Sequence, residues 1–127
     1  MSARNSACRW VLIVHFVAAW AFAIPLLFFA GKVAGWVNWY WFDPTMTKLM
    51  GAALFALGVG SLLAARDPFR HRVIVQTEIV YTFVGALTML YREVWGGGHT
   101  PNFAWVIFGV LAAFFVLFSL AYPKAEP

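Results

Sequence analysis

Charge is scarce in this chain. Of 127 residues, 11% are charged and 63% hydrophobic, and the mean hydropathy is +0.78. Soluble domains carry about a quarter charged residues, and so short a chain has no core able to hide this much apolar surface. That argues against a water-soluble enzyme or a free binding module. Cysteine is almost missing as well. Cys8 stands alone, so it has no partner for an internal disulfide and reads as a bystander thiol. No CxxC, CxxCH, HExxH, Walker or GxSxG pattern occurs, and the run Gly96-Gly97-Gly98 is not followed by Lys-Ser or Lys-Thr. No internal repeat is evident. The chain thus lacks the common short signatures of nucleophilic, metal and phosphate chemistry.

What it has instead is apolar length. Seven Trp, thirteen Phe and four Tyr suit a protein solvated by lipid. Crossing the hydrocarbon core takes roughly 20 apolar residues, and four runs reach that length. The first, residues 10–30, contains only His15 as an ionisable group. The second, 45–65, carries Lys48 near its start. The third, 73–91, contains Glu78 together with Gln76, Thr77, Thr82 and Thr88. The fourth, 103–122, is apolar except for Ser119. Short intervals between runs make neighbouring helices antiparallel. The expectation is an all-α integral membrane four-helix bundle of up-down-up-down order, one domain over residues 1–127.

The ends of the runs carry suitable residues. Asp43 is a candidate N-cap, with Pro44 in the first turn after it. Arg66-Asp67-Pro68 breaks the chain after the second run, the glycine run and Pro101 break it after the third, and Pro123 closes the fourth. Pro25 should kink the first helix. Arg4, Arg9, Arg66, Arg70, Arg72 and Lys124 fall on one side, and Lys32, Lys48 and Arg92 on the other. The excess of basic residues predicts that both termini and the second loop are cytoplasmic. The formal charge of +4 is then an orientation signal with some anionic-lipid contact, and it does not call for a nucleic-acid partner. The first run resembles a signal peptide, but its apolar stretch of about 21 residues exceeds the usual 7–15, predicting an uncleaved anchor.

Two stripes should build the bundle. Ala52, Ala56, Gly60 and Ala64 recur at four-residue spacing and would let another helix approach closely. Ala19 with Ala23, and Gly109 with Ala113, are shorter versions. Internal packing is favoured over a dimer interface for these small residues. On the third run, His71, Val75, Glu78, Thr82, Gly85 and Met89 fall within a band of about 80°, which should face the interior because a carboxyl facing lipid is costly. The loop Gly35-Trp36-Val37-Asn38-Trp39-Tyr40-Trp41-Phe42 can lie along the headgroup layer, its rings at the interface. An aromatic lid or a docking surface for another subunit is the sharper alternative.

Glu78 is the strongest single pointer to function, since an intramembrane carboxyl needs a reason. His15 lies six residues after Arg9 and Glu78 six after Arg72. Each is therefore roughly 9 Å inside the same boundary, and the two can meet. One reading is a dyad that handles protons or grips a ligand. The favoured one is that the pair satisfies itself, or that Glu78 reaches Arg72, fixing helix register. Bis-His haem needs two histidines at equal depth, and neither His71 at the boundary nor His99 in the outer loop matches His15. No paired ligand spacing supports a metal. Small four-helix exporters place their membrane Glu in the first helix, whereas here it is in the third, and no paired broken segments occur.

Gly58-Val59-Gly60 leading to Ala64-Ala65-Arg66-Asp67-Pro68, then Arg70, His71-Arg72-Val73 and Glu78, resembles small four-helix bacterial membrane proteins of the BphX-like and DoxX-like kind. The resemblance covers residues 45–92. It implies a bacterial cytoplasmic membrane, and for the DoxX-like branch an association with quinone-linked redox or membrane-stress functions. No catalytic motif carries over. Arg66, Asp67 and Glu78 are the matched positions, and the Arg-Asp-Pro turn implies a structural role, with Asp67 capping the third helix or pairing with Arg70. The expectation is a non-catalytic accessory subunit of a larger membrane complex, contacting lipid and other subunits or itself. A protein binding quinone, lipid or another hydrophobic molecule near Glu78, His15 and Thr82 is the alternative, and a small exporter the third.

Overall fold

The computed structural model describes residues 1–39, 42–95 and 102–126. Within these residues the chain is all-helical: α1 (Ala3–Phe28), α2 (Ala30–Trp36), α3 (Pro44–Ala64), α4 (Arg72–Trp95) and α5 (Phe103–Leu120). All except α2 are long and apolar enough to cross a membrane, as expected of a multi-pass membrane protein. Little of each span is buried inside the chain, so most of its apolar surface faces outward.

Helix α1 differs from the expected 10–30 at both ends. Ser2 caps it, its hydroxyl accepting from the Asn5 backbone N–H at 3.2 Å, so helix begins well before the apolar run. The added turns bring Asn5 and Cys8 into the buried face. At the other end Pro25 has no N–H to give its own turn. One turn beyond it, Phe29 leaves helical geometry at φ −131° and ψ 29°. The expected kink is thus followed by a break, and the chain restarts as α2, which buries Ala30 and Ala34. The other boundaries lie close to expectation. Asp43 accepts from the Met46 N–H at 3.0 Å, with Pro44 first in α3. Asp67 accepts from the Arg70 backbone N–H at 3.1 Å, and Pro68 is fully buried beside an exposed Arg66.

Helix α1 packs along α3, and α4 along α5; contact between these two pairs is more limited. The α1–α3 seam does not follow the expected stripe. Ala52 and Ala56 are exposed, Gly60 is half-buried, and only Ala64 of the four is buried. The close approach is at Gly51 and Gly58. A Cβ on Gly51 would lie 3.0 Å from Leu27 Cγ and 3.2 Å from the Ala23 carbonyl oxygen. One on Gly58 would lie 2.6 Å from Trp20 Cδ1. The seam follows the bulk of α1, where Trp20 stacks on Phe55 at 4.4 Å between centroids and donates its indole N–H to the Phe55 carbonyl. The α1–α3 approach therefore uses other positions of α3 than the evenly spaced small residues. Ala19 and Ala23 do lie buried on this seam.

The pairs meet in a core of Cys8, Leu12, Ala64, Val75, Phe114 and Phe118, among others. At that end Asn5 clamps the C-terminal tail. Its side-chain amide donates to the Lys124 carbonyl at 3.0 Å, and its carbonyl oxygen accepts the Lys124 N–H at 2.9 Å. The Glu126 carboxylate accepts from the Ser2 backbone N–H and the Asn5 amide, which hold its carboxyl below the usual carboxylate range. Asn5→Asp keeps the acceptor of the clamp and sets a carboxylate oxygen against the Lys124 carbonyl. A buried group left unsatisfied costs about 1–3 kcal/mol, so the tail should detach. Trypsin cleavage after Lys124 in micelles is expected to accelerate several-fold with the spans intact; unchanged cleavage would show that the clamp does not hold the tail.

Candidate functional site

Three helices each contribute one polar side chain to a single point inside the protein. His15 comes from α1, Ser61 from α3 and Glu78 from α4. His15 Nδ1 lies 2.8 Å from Ser61 Oγ, and the Ser61 hydroxyl donates to Glu78 Oε1 at 3.1 Å. His15 Nε2 is 3.3 Å from Glu78 Oε2. The three contacts form a closed ring. Ser61 and Glu78 have no exposed surface and His15 only 5%. Oε2 has no hydrogen-bond partner and is the least satisfied atom of the ring.

Apolar groups close the site. Phe114 and Phe118 of α5 set their rings at steep angles to the imidazole, with centroids 4.9 and 5.3 Å from it. Val75, one turn before Glu78 in α4, is fully buried, as are Leu12 in α1 and Ala64 in α3. With water excluded, each polar atom depends on its neighbours in the ring.

Of the residues singled out from sequence, the structure brings Glu78 and His15 together. The interior placement of the α4 stripe is visible at Val75, Glu78 and Thr82, all fully buried. Thr82 sits beside the ring without joining it, since its hydroxyl donates to the Glu78 backbone carbonyl at 2.7 Å. Glu78 pairs with His15 and Ser61, not with Arg72, whose guanidinium lies over the Phe69 ring. Among the loop aromatics, Trp36 is exposed and Trp39 half-buried beneath the Arg92 guanidinium. Tyr40 and Trp41, like the glycine run, His99 and Pro101, lie outside the described residues.

Sequence reasoning missed Ser61. A serine in an apolar run carries little signal by itself, because its hydroxyl can return to its own helix. Depth provides the signal. Ser61 lies five residues before Arg66, almost the same distance from the boundary as His15 from Arg9 and Glu78 from Arg72. Asn5 was missed because it precedes the apolar run.

Chemically, the ring can hold protons and fix three helices in register. Its one unpartnered atom, Glu78 Oε2, is buried 3.3 Å from His15 Nε2. A cleft of about 400 Å³ opens elsewhere, where Phe28, Lys32, Pro44 and Lys48 come together, and none of the ring residues lines it. No protein-family model matches this chain, and neither does any curated protein or solved structure.

Proposed function

We propose that this protein is a non-catalytic subunit of a larger membrane assembly, with Glu78, His15 and Ser61 as its internal lock. The observation that carries this reading is the closure of the ring. The polar side chains of His15, Ser61 and Glu78 are directed at one another, with the rings of Phe114 and Phe118 against the imidazole. A quinone or lipid bound at Glu78 would first have to break those contacts. The spans, meanwhile, leave large side chains such as Val80, Phe83, Val84 and Leu87 of α4 exposed to lipid or to neighbouring helices.

In this reading the four long helices cross in alternation, up-down-up-down, with both termini on the cytoplasmic side of a bacterial cytoplasmic membrane. The Asn5–Lys124 clamp supports placing the termini together, and the distribution of Lys and Arg supports the cytoplasmic side. The resemblance of residues 45–92 to BphX-like and DoxX-like proteins makes a quinone-linked redox complex the first partner to look for. Mild-detergent purification from native membranes tests the proposal. A partner protein at fixed stoichiometry is expected. A lone protein carrying a stoichiometric quinone or lipid would overturn it.

A further inference from the structure

The ring can be counted in hydrogens. Three contacts close it, and each needs one hydrogen between its two heavy atoms. Ser61 gives its hydrogen to Glu78 Oε1. Ser61 Oγ must then accept at its other contact, so His15 Nδ1 carries a hydrogen and donates it. With a neutral imidazole and an ionised carboxylate, no hydrogen remains for the third contact. Nε2 and Oε2 would face each other at 3.3 Å as two lone pairs, within a buried cluster of net charge −1. Oε2 is also the ring atom that lacks a hydrogen-bond partner. Reversing all three bonds leaves the count unchanged.

One more hydrogen corrects both faults. It completes the ring and brings the net charge to zero, which is what burial favours. A further one would find no acceptor in the ring. The carboxylate has no other ion-pair partner among the described residues. Among the described residues α1 contributes His15, α3 the uncharged Ser61, α5 the rings of Phe114 and Phe118, and α4 itself Tyr81, a phenol three residues on.

We infer that the ring is a binding site for a single proton, held between Glu78 Oε2 and His15 Nε2, and that this proton fastens the α1–α3 pair to the α4–α5 pair. The inference rests on the lock described above and adds what controls it. Apart from the Asn5 and Ser2 ties to the tail, the ring supplies the hydrogen bonding between the two pairs among the described residues. When the pairs part and water enters, Glu78 and His15 behave as exposed groups, titrating near 4.3 and about 6.5. Between those values the open pair also carries one proton, and opening is independent of pH. Above about 6.5 the open pair has lost a proton that the closed ring keeps. Closure then binds one proton more, so the closed form weakens as pH rises, by about tenfold per unit.

Cys8 reports the opening, since it is the chain's only cysteine and is fully buried in the core between the pairs. The test is the alkylation rate of Cys8 by a small neutral maleimide in micelles, compared between wild type and Glu78→Gln across pH. Glutamine supplies the missing hydrogen permanently from its amide, so the variant's closed ring binds no proton, while its opened His15 still takes one up below about pH 6.5. Taking the ratio of the two rates cancels the thiol's own ionisation. The expected wild-type-to-variant ratio climbs close to tenfold per unit from about pH 5 upward: below about 6.5 because the opened variant gains a proton on His15 as pH falls, and above it because wild-type opening releases one. A level ratio throughout would overturn the inference. If Glu78→Gln does not fold, thermal melting of the wild type in the same micelles decides: a midpoint falling above about pH 6.5 supports the site, and a constant one removes it. The purified protein alone is used, so a level ratio leaves the subunit reading standing, and a missing partner leaves the ratio untouched.

Discussion

His15→Leu is expected to destabilise the folded protein by about 3–5 kcal/mol, the usual cost of removing one partner from a buried ionic pair. Leucine fills much of the imidazole's space against Phe114 and Phe118, so a cavity accounts for little of the loss. The cost arises at Glu78, whose Oε2 would have no polar neighbour in a site without exposed surface. Adding Glu78→Leu should therefore restore most of the stability. The double variant buries no carboxyl, and Ser61 can turn its hydroxyl to the carbonyl one turn back in its own helix. Replacing a buried pair with apolar residues of similar volume is often neutral or stabilising. Denaturation in mixed SDS micelles, followed by circular dichroism, measures His15→Leu, Glu78→Leu and the double variant. Losses that simply add, leaving the double variant the least stable, would show that the two residues are not coupled.

Gly58→Ala is expected to cost about 1–3 kcal/mol, the range for overpacking a close contact. The new methyl would sit 2.6 Å from Trp20 Cδ1 and 2.9 Å from its Nε1. Trp20 has little freedom to retreat. It is stacked on Phe55, packed against Phe16 at 4.9 Å, and tied by its indole N–H to the Phe55 carbonyl. Gly60→Ala, half a turn away, is the control. Its methyl would meet nothing nearer than Ile74 Cγ2 at 3.8 Å, an ordinary contact. Replacing glycine within a helix gains up to about 1 kcal/mol, so this variant should be neutral or more stable. Stability together with Trp fluorescence separates the two. Equal effects at 58 and 60 would contradict the seam placement.

Much of the fold was legible because it follows from the solvent. The apolar runs at 45–65, 73–91 and 103–122 correspond to α3, α4 and α5 within a few residues. The Asp43-Pro44 start was legible too, since a cap and an N1 proline act locally. What escaped depends on other helices. The α1–α3 seam is decided by where Trp20, Leu26 and Leu27 lie, which the spacing of alanines in α3 does not encode. The early start of α1 escaped because Asn5 gains its buried place only through the tail it clamps. The separate α2 escaped because the apolar run continues without interruption through Phe29.

The site was half legible. Equal depth from the basic boundary places Glu78 and His15 together because helix rise is constant. Ser61 was open to the same count, but hydroxyls in apolar helices are usually satisfied locally, as Thr77, Thr82, Thr88 and Ser119 are here. Ser61 differs in that its hydroxyl spans to a neighbouring helix. Only the packing of three helices around it reveals this.

The most direct measurement of the lock as a structural device is native-membrane purification of the doubly apolar variant, His15→Leu with Glu78→Leu. The double variant is expected to fold and to retain the same partner at the same stoichiometry as the wild type. A variant that folds equally well but loses the partner, or loses a quinone or lipid that the wild type carries, would contradict the lock's structural role.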